Sequence, residues 1–154
     1  MIKLFLMDVD GTLTDGKIYV GTSGEVMKAF NVKDGLGIVN LSKYNILPII
    51  ITGRISDIDT IRSKELGIKE VYQGVTNKKE KYYEILKKFN VKKEEVAYVG
   101  DDINDLEVMK ECGFKACPNN AVKEVKEICD FISKFNGGDG AIREIIDFIK
   151  ETQL

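Results

Sequence analysis

The hydrophobic positions of the chain form short apolar runs separated by longer segments with helical periodicity. The runs predict strands at Ile2–Met7, Ile46–Ile51, Glu70–Tyr72, Val96–Val99, Phe114–Ala116 and Phe131–Ile132. The segments between them predict helices near Leu36–Tyr44, Ser56–Leu66, Lys78–Phe89, Asn104–Glu111, Ala121–Ile128 and Ala141–Lys150. Because apolar strands alternate with helices, we expect a parallel sheet covered on both faces. This is a doubly wound α/β fold, in which ligands bind beyond the carboxyl ends of the strands.

One segment interrupts this alternation. Lys17–Val20 and Glu25–Phe30 are short strand-like runs joined by Gly-Thr-Ser-Gly, which predicts a β-hairpin over about 17–30 that projects from the sheet. No linker, repeat or low-complexity tract divides the chain. At 154 residues we expect a single domain, 1–154, large enough to bury its own core.

Composition narrows the classes of function. The net charge is −2 and the pI is about 5.4, with lysines and glutamates interleaved, so we expect no nucleic-acid partner. The longest apolar stretch, Ile46–Ile51, is too short to cross a membrane, and the N-terminus has no signal-peptide pattern. Cys112, Cys117 and Cys129 lack Cys-x-x-Cys spacing, which favours reduced, mostly buried thiols in a cytoplasmic protein.

The chain contains no histidine. This excludes Ser-His-Asp and Cys-His catalysis, phosphohistidine intermediates and histidine-bound zinc. Acid–base chemistry must therefore use Asp, Glu, Lys, Tyr or Cys. A bound metal is expected to be a hard, oxygen-liking ion such as Mg²⁺.

Two aspartates directly follow the first apolar run. Alternation along a strand would let Asp8 and Asp10 point the same way, roughly 6.6 Å apart. Gly11 and Thr12 then allow a tight turn beside them. Such a pair is costly at the end of a buried strand unless a cation, a proton or hydrogen bonds compensate it. The simpler interpretation is an acidic hairpin turn.

Polar residues also follow the second and third strands. Thr52, Gly53 and Arg54 precede a helix N-terminus near Ser56, which favours anion binding, although Thr and Gly are ordinary before a helix. Lys78 begins a helix after the third strand, where the helix dipole disfavours a cation. Taken alone, Lys78 is more simply interpreted as a solvated surface lysine.

The fourth strand ends in a cluster of carboxylates. Asp101, Asp102 and Asp105 lie within five residues of sequence, a pattern that indicates a metal site. Helix capping near Asn104 would explain one of them, but not all three. Strands one and four would aim Asp8, Asp10, Asp101 and Asp102 into one crevice, where they would repel each other without a cation.

These motifs together resemble the haloacid dehalogenase (HAD) superfamily of phosphotransferases. The matching residues, in chain order, are Asp8-Val9-Asp10-Gly11-Thr12, Thr52, Lys78, and Gly100-Asp101-Asp102 with Asp105. The resemblance implies a Rossmann-like HAD fold. It also implies that Asp8 attacks phosphorus to form an aspartyl-phosphate, and that Asp10 serves as acid and then base.

The resemblance assigns roles to the remaining site residues. Mg²⁺ would be held by Asp8, the backbone carbonyl of Asp10 and Asp101. Asp102 and Asp105 would orient metal-bound waters or Lys78. Thr52 and the Gly53 amide would hold phosphate oxygens, and Lys78 would offset negative charge. Asn104 is placed on the substrate side of the site.

A finer resemblance is to the small, capless phosphatases of 3-deoxy-D-manno-octulosonate 8-phosphate (KDO 8-phosphate). Four stretches support this resemblance: Asp8–Gly16, Phe30–Ile38, Thr52-Gly53-Arg54, and Gln73-Gly74 with Asn77-Lys78. A glycine-rich tail of about 136–144 also supports it, through the segment Gly137–Glu144. The resemblance implies lipopolysaccharide precursor synthesis in the cytoplasm. It also implies a homotetramer, in which the hairpin builds the assembly, a neighbouring subunit covers each site and the tail can reach into it.

The substrate is less narrowly defined than the chemistry. Similar phosphatases of nine-carbon, sialic-type sugar acid 9-phosphates tend to carry Glu after the Thr-Gly pair. Arg54 occupies that position here and could pair with a sugar carboxylate, or make a surface salt bridge. Arg143 could contact the substrate or occupy a plain helix position. The Asn104-Asp105 pair leaves other small sugar phosphates open.

Two rival functions use similar residues. A receiver-type signalling domain also has a phosphorylated Asp, a Thr, a Lys and Mg²⁺, but its acidic pair precedes the phosphorylated Asp in sequence. In this chain the Asp101–Asp102 pair comes after Asp8, which argues against a signalling switch. A non-catalytic scaffold is disfavoured because both Asp8 and Asp10 are present.

Overall fold

A computed structural model describes residues 1–154. Its strands are β1 (Leu4–Met7), β2 (Tyr19–Gly21), β3 (Gly24–Met27), β4 (Leu47–Ile51), β5 (Glu70–Tyr72), β6 (Val96–Val99), β7 (Phe114–Cys117) and β8 (Phe131–Ile132). Its α-helices are α1 (Val32–Asn40), α2 (Asp57–Glu65), α3 (Lys78–Phe89), α4 (Leu106–Met109), α5 (Lys123–Ile128) and α6 (Ala141–Thr152). Short 3₁₀ turns lie at Leu41–Tyr44, Lys93–Glu95 and Ile103–Asp105.

Six strands form one sheet in the order β5-β4-β1-β6-β7-β8, and every neighbouring pair is parallel. The first strand therefore lies near the centre, between β4 and β6. Met7 is in register with Ile50 on one side and with Val99 on the other. The predicted doubly wound α/β fold is confirmed, and no separate cap domain accompanies the sheet.

Apolar side chains on the two faces of the sheet build two cores. Phe5 and Met7 point to one face, where they join the cluster that includes Ile38 of α1 and Ile142 of α6. Leu4 and Leu6 point to the other face, under the cluster that includes Tyr82 and Ile85 of α3, Val108 of α4 and Val125 of α5. Successive strand residues face opposite sides, so a strand that is apolar throughout supplies both cores.

Several predicted helix boundaries were wrong. The first helix begins at Val32 rather than Leu36, because the Asn31 side chain accepts hydrogen bonds from the amides of Lys33 (2.8 Å) and Asp34 (3.2 Å). That helix ends at Asn40, and a 3₁₀ turn completes the predicted segment. The segment predicted as one helix over Asn104–Glu111 is a 3₁₀ turn followed by the four-residue α4.

The hairpin predicted over about 17–30 has shorter strands than expected. Tyr19–Gly21 and Gly24–Met27 pair antiparallel as a separate two-stranded sheet. Its apolar side chains are exposed, including Val20 at 72% and Val26 at 62%. An isolated two-stranded hairpin is marginally stable, so this segment depends on what it contacts.

The glycine-rich tail packs against the loop that follows β1 in the same chain. A Cβ atom on Gly137 would lie 2.0 Å from the carbonyl oxygen of Gly11, and one on Gly138 would lie 2.6 Å from the Asp15 amide. The Gly137 amide donates to Asn120 Oδ1 at 3.1 Å. Glycine is therefore required for this close approach.

Arg143 lies in the first turn of α6 and makes contacts within its own chain. Its Nε pairs with Asp147 at 3.2 Å, and its guanidinium donates to the Lys33 carbonyl. Its amide donates to Asp34 Oδ1 at 2.9 Å, which ties α6 to α1.

All three cysteines are free thiols, as predicted. Cys112 and Cys117 are buried, and Cys129 is partly buried. None of the helices is both long and apolar enough to span a membrane.

Candidate active site

The parallel register brings the predicted residues to one edge of the sheet. The carboxyl ends of β1, β4 and β6 lie side by side, so the residues that follow them converge. They line a crevice of about 200 Å³ with no hydrophobic residue in its wall: Asp8, Asp10, Thr52, Gly53, Arg54, Asp102 and Asn104. A larger groove of about 560 Å³ beside Leu47 and Pro48 has no carboxylate in its lining. The polar crevice is therefore the candidate active site.

A tight turn after β1 places the first two aspartates. The strand ends at Met7, so strand alternation does not explain how Asp8 and Asp10 come to share the crevice. Instead, the amides of three residues beyond Asp10 all donate to the Val9 carbonyl: Thr12 (3.1 Å), Leu13 (2.8 Å) and Thr14 (3.2 Å). Gly11 has a φ of +86°, and a Cβ there would lie 2.0 Å from Asp101 Oδ2. Only glycine allows this turn beside the second acidic motif.

Three carboxylates form a compact cluster. Oxygen atoms of Asp8, Asp101 and Asp105 all lie within 4.8 Å of one another. Burial, reinforced by the charge of Asp105, raises the pKa of Asp8 to about 8 and that of Asp101 to about 7. Thr12 donates to Asp101 Oδ1 at 3.1 Å, and the Val9 amide donates to Asp8 Oδ1 at 2.8 Å. These two hydrogen bonds offset only part of the negative charge.

Lys78 lies inside this cluster, and its interpretation as a solvated surface lysine was wrong. Lys78 is only 5% exposed, and its Nζ lies 2.8 Å from Asp105 Oδ1 and 3.3 Å from Asp8 Oδ1. Burial opposes the charged form of Lys78, but the carboxylates of Asp105 and Asp8 outweigh it and raise its pKa. The attraction of two buried anions exceeds the unfavourable effect of the helix dipole.

Asp105 organises the loop after β6. It is fully buried and accepts hydrogen bonds from Lys78 Nζ, from Tyr98 Oη at 2.8 Å and from the Asp101 amide at 3.1 Å. A Cβ atom on Gly100 would lie 2.5 Å from its Cγ, so glycine is needed there as well. Sequence reasoning missed Tyr98, although a tyrosine inside an otherwise apolar strand is a recognisable signal.

Asp102 and Asn104 lie on the exposed side of the crevice. The Asp102 side chain accepts from the Ile103 amide at 2.7 Å, so the capping interpretation holds for this residue of the acidic cluster. Neither side chain contacts Lys78. Both remain positioned to meet a ligand in the crevice.

The segment after β4 forms the opposite wall. Thr52 is buried at the end of the strand, whereas Gly53 is exposed, and a Cβ atom on Gly53 would meet only the Val75 carbonyl oxygen, at 3.7 Å. Ser56 caps α2 by accepting from the Asp59 amide at 3.3 Å. The Thr52 side chain and the Gly53 backbone thus border the crevice just before a helix N-terminus, where an anion is favoured.

Asp10 turns its carboxylate away from the acidic cluster and toward two cations. Its Oδ1 lies 2.9 Å from Lys28 Nζ, and its Oδ2 lies 3.8 Å from Arg54 Nε. Arg54 is half exposed and also pairs with Glu25 of the hairpin at 3.3 Å. Sequence reasoning missed Lys28 and Glu25, because the hairpin pattern does not reveal what the hairpin covers.

The carboxylate cluster fits a hard divalent cation. Carboxylate oxygens from Asp8 and Asp101 lie together and are incompletely compensated by the protein, and oxygen donors are those that Mg²⁺ prefers. Asp105 is within the same cluster, but Lys78, Tyr98 and a backbone amide already occupy its oxygens. Asp8 and Asp101 are therefore the side chains best placed to hold a metal.

Comparisons with known proteins agree with this geometry. The sequence profile of the haloacid dehalogenase-like hydrolases matches residues 43–145. The 3-deoxy-D-manno-octulosonate 8-phosphate phosphatase KdsC of Salmonella typhi is 42% identical over 148 residues, which cover 96% of this chain and 79% of the relative. KdsC of Escherichia coli K12 is 41% identical with the same coverage.

Solved structures of such phosphatases share the fold of this chain. A crystal structure of the 3-deoxy-D-manno-octulosonate 8-phosphate phosphatase of Moraxella catarrhalis, in complex with magnesium ion, phosphate ion and KDO, has a TM-score of 0.93 and 41% identity, with coverage of 97% of this chain and 86% of that one. The cobalt-bound phosphatase of Haemophilus influenzae has a TM-score of 0.95 and 38% identity, with coverage of 99% and 89%. On the profile match, the identity and the shared fold, this chain belongs to the haloacid dehalogenase-like hydrolase family, in the group of the 3-deoxy-D-manno-octulosonate 8-phosphate phosphatases.

Proposed function

We propose that the protein hydrolyses KDO 8-phosphate to KDO and phosphate, a step in lipopolysaccharide precursor synthesis, in the cytoplasm. The observation that carries the proposal is the joint placement of Asp8, Lys78 and Asp101 beside the polar crevice. The similarity to enzymes named for this reaction supports the choice of substrate. The three free thiols agree with a reducing compartment.

Asp8 is the proposed nucleophile. It lies at the base of the crevice, and the amide of Val9 and the ammonium of Lys78 hold its Oδ1. Its carboxylate would attack the phosphorus atom as the sugar oxygen departs, giving an aspartyl-phosphate that water then hydrolyses. Lys78 would offset negative charge on Asp8 and on the phosphoryl group, while the Thr52 hydroxyl and the Gly53 amide hold phosphoryl oxygens.

Asp10 is the proposed acid and base. It would donate a proton to the departing sugar oxygen, then take a proton from the water that attacks the aspartyl-phosphate. The different surroundings of the two aspartates support this separation of roles. Asp8 faces Lys78 in the acidic cluster, whereas Asp10 faces Lys28 and Arg54 on the hairpin side.

Asp8 and Asp101, with the backbone carbonyl of Asp10, are the proposed ligands of Mg²⁺. When bound, the ion supplies charge neutralisation that lets an anionic nucleophile approach an anionic phosphate. Asp102 and Asp105 would act indirectly, Asp105 by holding Lys78 and the loop after β6 in place.

Arg54 is the proposed recognition residue for the sugar acid. It is half exposed at the mouth of the crevice, which Asn104 also lines, and its guanidinium can pair with a carboxylate in a bidentate manner. In the structure it pairs with Glu25, so a substrate carboxylate would have to share or replace that partner.

We propose that the chain assembles as a homotetramer through the hairpin. Val20 and Val26 of the hairpin and Val32 and Leu36 of α1 are large apolar side chains that are more than half exposed. Exposed apolar side chains of this size are stabilised when a second subunit removes them from water. A neighbouring subunit placed there would also cover the mouth of the crevice.

The first test is phosphate release, with Mg²⁺, from a panel of substrates. We expect the highest kcat/KM for KDO 8-phosphate, compared with a nine-carbon sugar acid 9-phosphate, hexose phosphates and phosphoserine. Asp8→Asn should reduce turnover by at least about 10³-fold, because it removes the proposed nucleophile and one carboxylate of the cluster while keeping the size and shape of the side chain. The variant should still fold, with a single cooperative thermal transition. Asp57→Asn, an exposed change on α2, is the matched control. Equal turnover of all substrates would refute the proposed specificity.

Removal of the metal should abolish turnover, and its effect on stability should depend on pH. In the metal-free fold the pKa values of Asp8 (about 8) and Asp101 (about 7) lie above their ordinary value of 3.8, so the folded state holds extra protons and loses stability as pH rises through this range. Mg²⁺ should therefore raise Tm more at pH 8 than at pH 6. Full activity after exhaustive chelation would contradict the proposed mechanism.

Arg54→Met should weaken binding of the sugar acid in particular. Loss of a charge-assisted hydrogen bond of about 1.5–3 kcal/mol should raise KM for KDO 8-phosphate about tenfold or more. The KM for a hexose phosphate, which has no carboxylate, should change little. An equal rise in KM for both substrates would show that Arg54 does not bind the sugar carboxylate.

The mass of the protein in solution tests the assembly. Light scattering should give four chains for the wild type and fewer for Val20→Lys combined with Val26→Lys, because two buried lysines without partners would destabilise the interface. Lys17→Glu, an exposed change on the same hairpin, should leave the mass unchanged. A wild-type monomer would exclude the proposed tetramer.

A further inference from the structure

Lys28 is a buried cation at the base of the hairpin. It follows the last residue of β3, and its side chain has no exposed surface. Its Nζ lies 2.9 Å from Asp10 Oδ1, 3.0 Å from Asp59 Oδ1 and 3.6 Å from Glu25 Oε2. One ammonium group thus connects the loop after β1, helix α2 and the hairpin.

The surroundings of Lys28 keep it charged. Burial opposes the ammonium form, but the carboxylates of Asp10 and Asp59 outweigh it and raise the pKa of Lys28. Removing Lys28 would leave the buried carboxylate of Asp59 without a cation, so Asp59 and Lys28 stabilise each other as a buried pair.

The contact with Asp10 is more than a means of attaching the hairpin. Asp59 is fully buried and accepts a hydrogen bond from Lys28, so Asp59 alone could anchor the lysine. Asp10, by contrast, has no hydrogen-bond donor at either carboxylate oxygen apart from the two cations that face it. These cations determine its orientation, and Lys28 at 2.9 Å is closer than Arg54 at 3.8 Å.

We propose that Lys28 is a positioning residue that holds the Asp10 carboxyl group toward the leaving oxygen of the substrate, and that Asp59 and Glu25 hold Lys28 in turn. The inference rests on the proposed function, because it gives Lys28 a purpose only if Asp10 transfers a proton. The contacts that attach the hairpin to helix α2 would then also orient the Asp10 carboxyl group.

The test compares leaving groups. Departure of a sugar alcohol requires a proton from Asp10, whereas p-nitrophenolate leaves without one. The ratio kcat/KM reports steps up to release of the first product, so it isolates this difference. Lys28→Met should lower kcat/KM for KDO 8-phosphate by about 10²-fold, within the range attributed to general acid catalysis, and that for p-nitrophenyl phosphate by less than about fivefold.

Three further variants make the comparison selective. Asp10→Asn should show the same dependence on leaving group, because it removes the acid itself. Lys17→Met removes an exposed hairpin lysine and should leave both substrates unaffected. Asp59→Asn keeps the shape of the side chain that holds Lys28. It should lower kcat/KM for KDO 8-phosphate more than that for p-nitrophenyl phosphate, but by a smaller factor than Lys28→Met. This variant provides a second measurement if Lys28→Met does not fold.

The outcomes are distinct. An equal loss on both substrates, in Lys28→Met or in Asp59→Asn, would make Lys28 a purely structural residue and overturn the inference. Unchanged kcat/KM on both substrates would overturn it as well. A wild-type chain inactive on both substrates would overturn the proposed function, and this inference with it.

Discussion

Negative charge concentrated at one edge of the sheet is the constraint on which the rest of the structure depends. Asp8, Asp101 and Asp105 bring their oxygens within 4.8 Å in a largely buried place, where the loss of solvent and their repulsion both raise the pKa of Asp8. Two neighbouring side chains reduce the free-energy cost of burying these carboxylates together. Lys78 is buried against two of the carboxylates, and Tyr98 donates to Asp105. The carboxylate cluster that destabilises this edge of the sheet is also the group of ligands that can bind a cation.

The sequence predicted the sheet and this edge for simple reasons. Apolar runs without alternation indicate strands buried on both faces, and parallel strands place the residues that follow them at one edge. Thr52 and Asp101 were found in this way, since each comes just after the end of its strand. Lys78 was misjudged when considered alone, because local helix electrostatics oppose a cation there. Its partner Asp105 is 27 residues away and outweighs the local preference.

Contacts between distant segments explain what the sequence could not reveal. Lys28 meets Asp59 across 31 residues, and neither a hydrophobic period nor a motif links them. The early start of α1 was missed for a different reason: Gly35 and Gly37 weaken the helical pattern, whereas the Asn31 cap and packing against α6 stabilise it. Local patterns predict elements well, but they do not predict which buried charges will pair.

The packing of Gly137 and Gly138 on the loop after β1 has a consequence for folding. Gly11 and Gly137 lie far apart in the sequence, yet a Cβ atom on Gly137 would lie 2.0 Å from the Gly11 carbonyl oxygen. The central strand β1 likewise pairs with β4 and β6, which follow it at a distance in the chain. Contacts at such sequence separations form slowly, because a long loop must close before the contact can offset the lost entropy. We therefore expect the loop that carries Asp8 and Asp10 to become ordered late in folding.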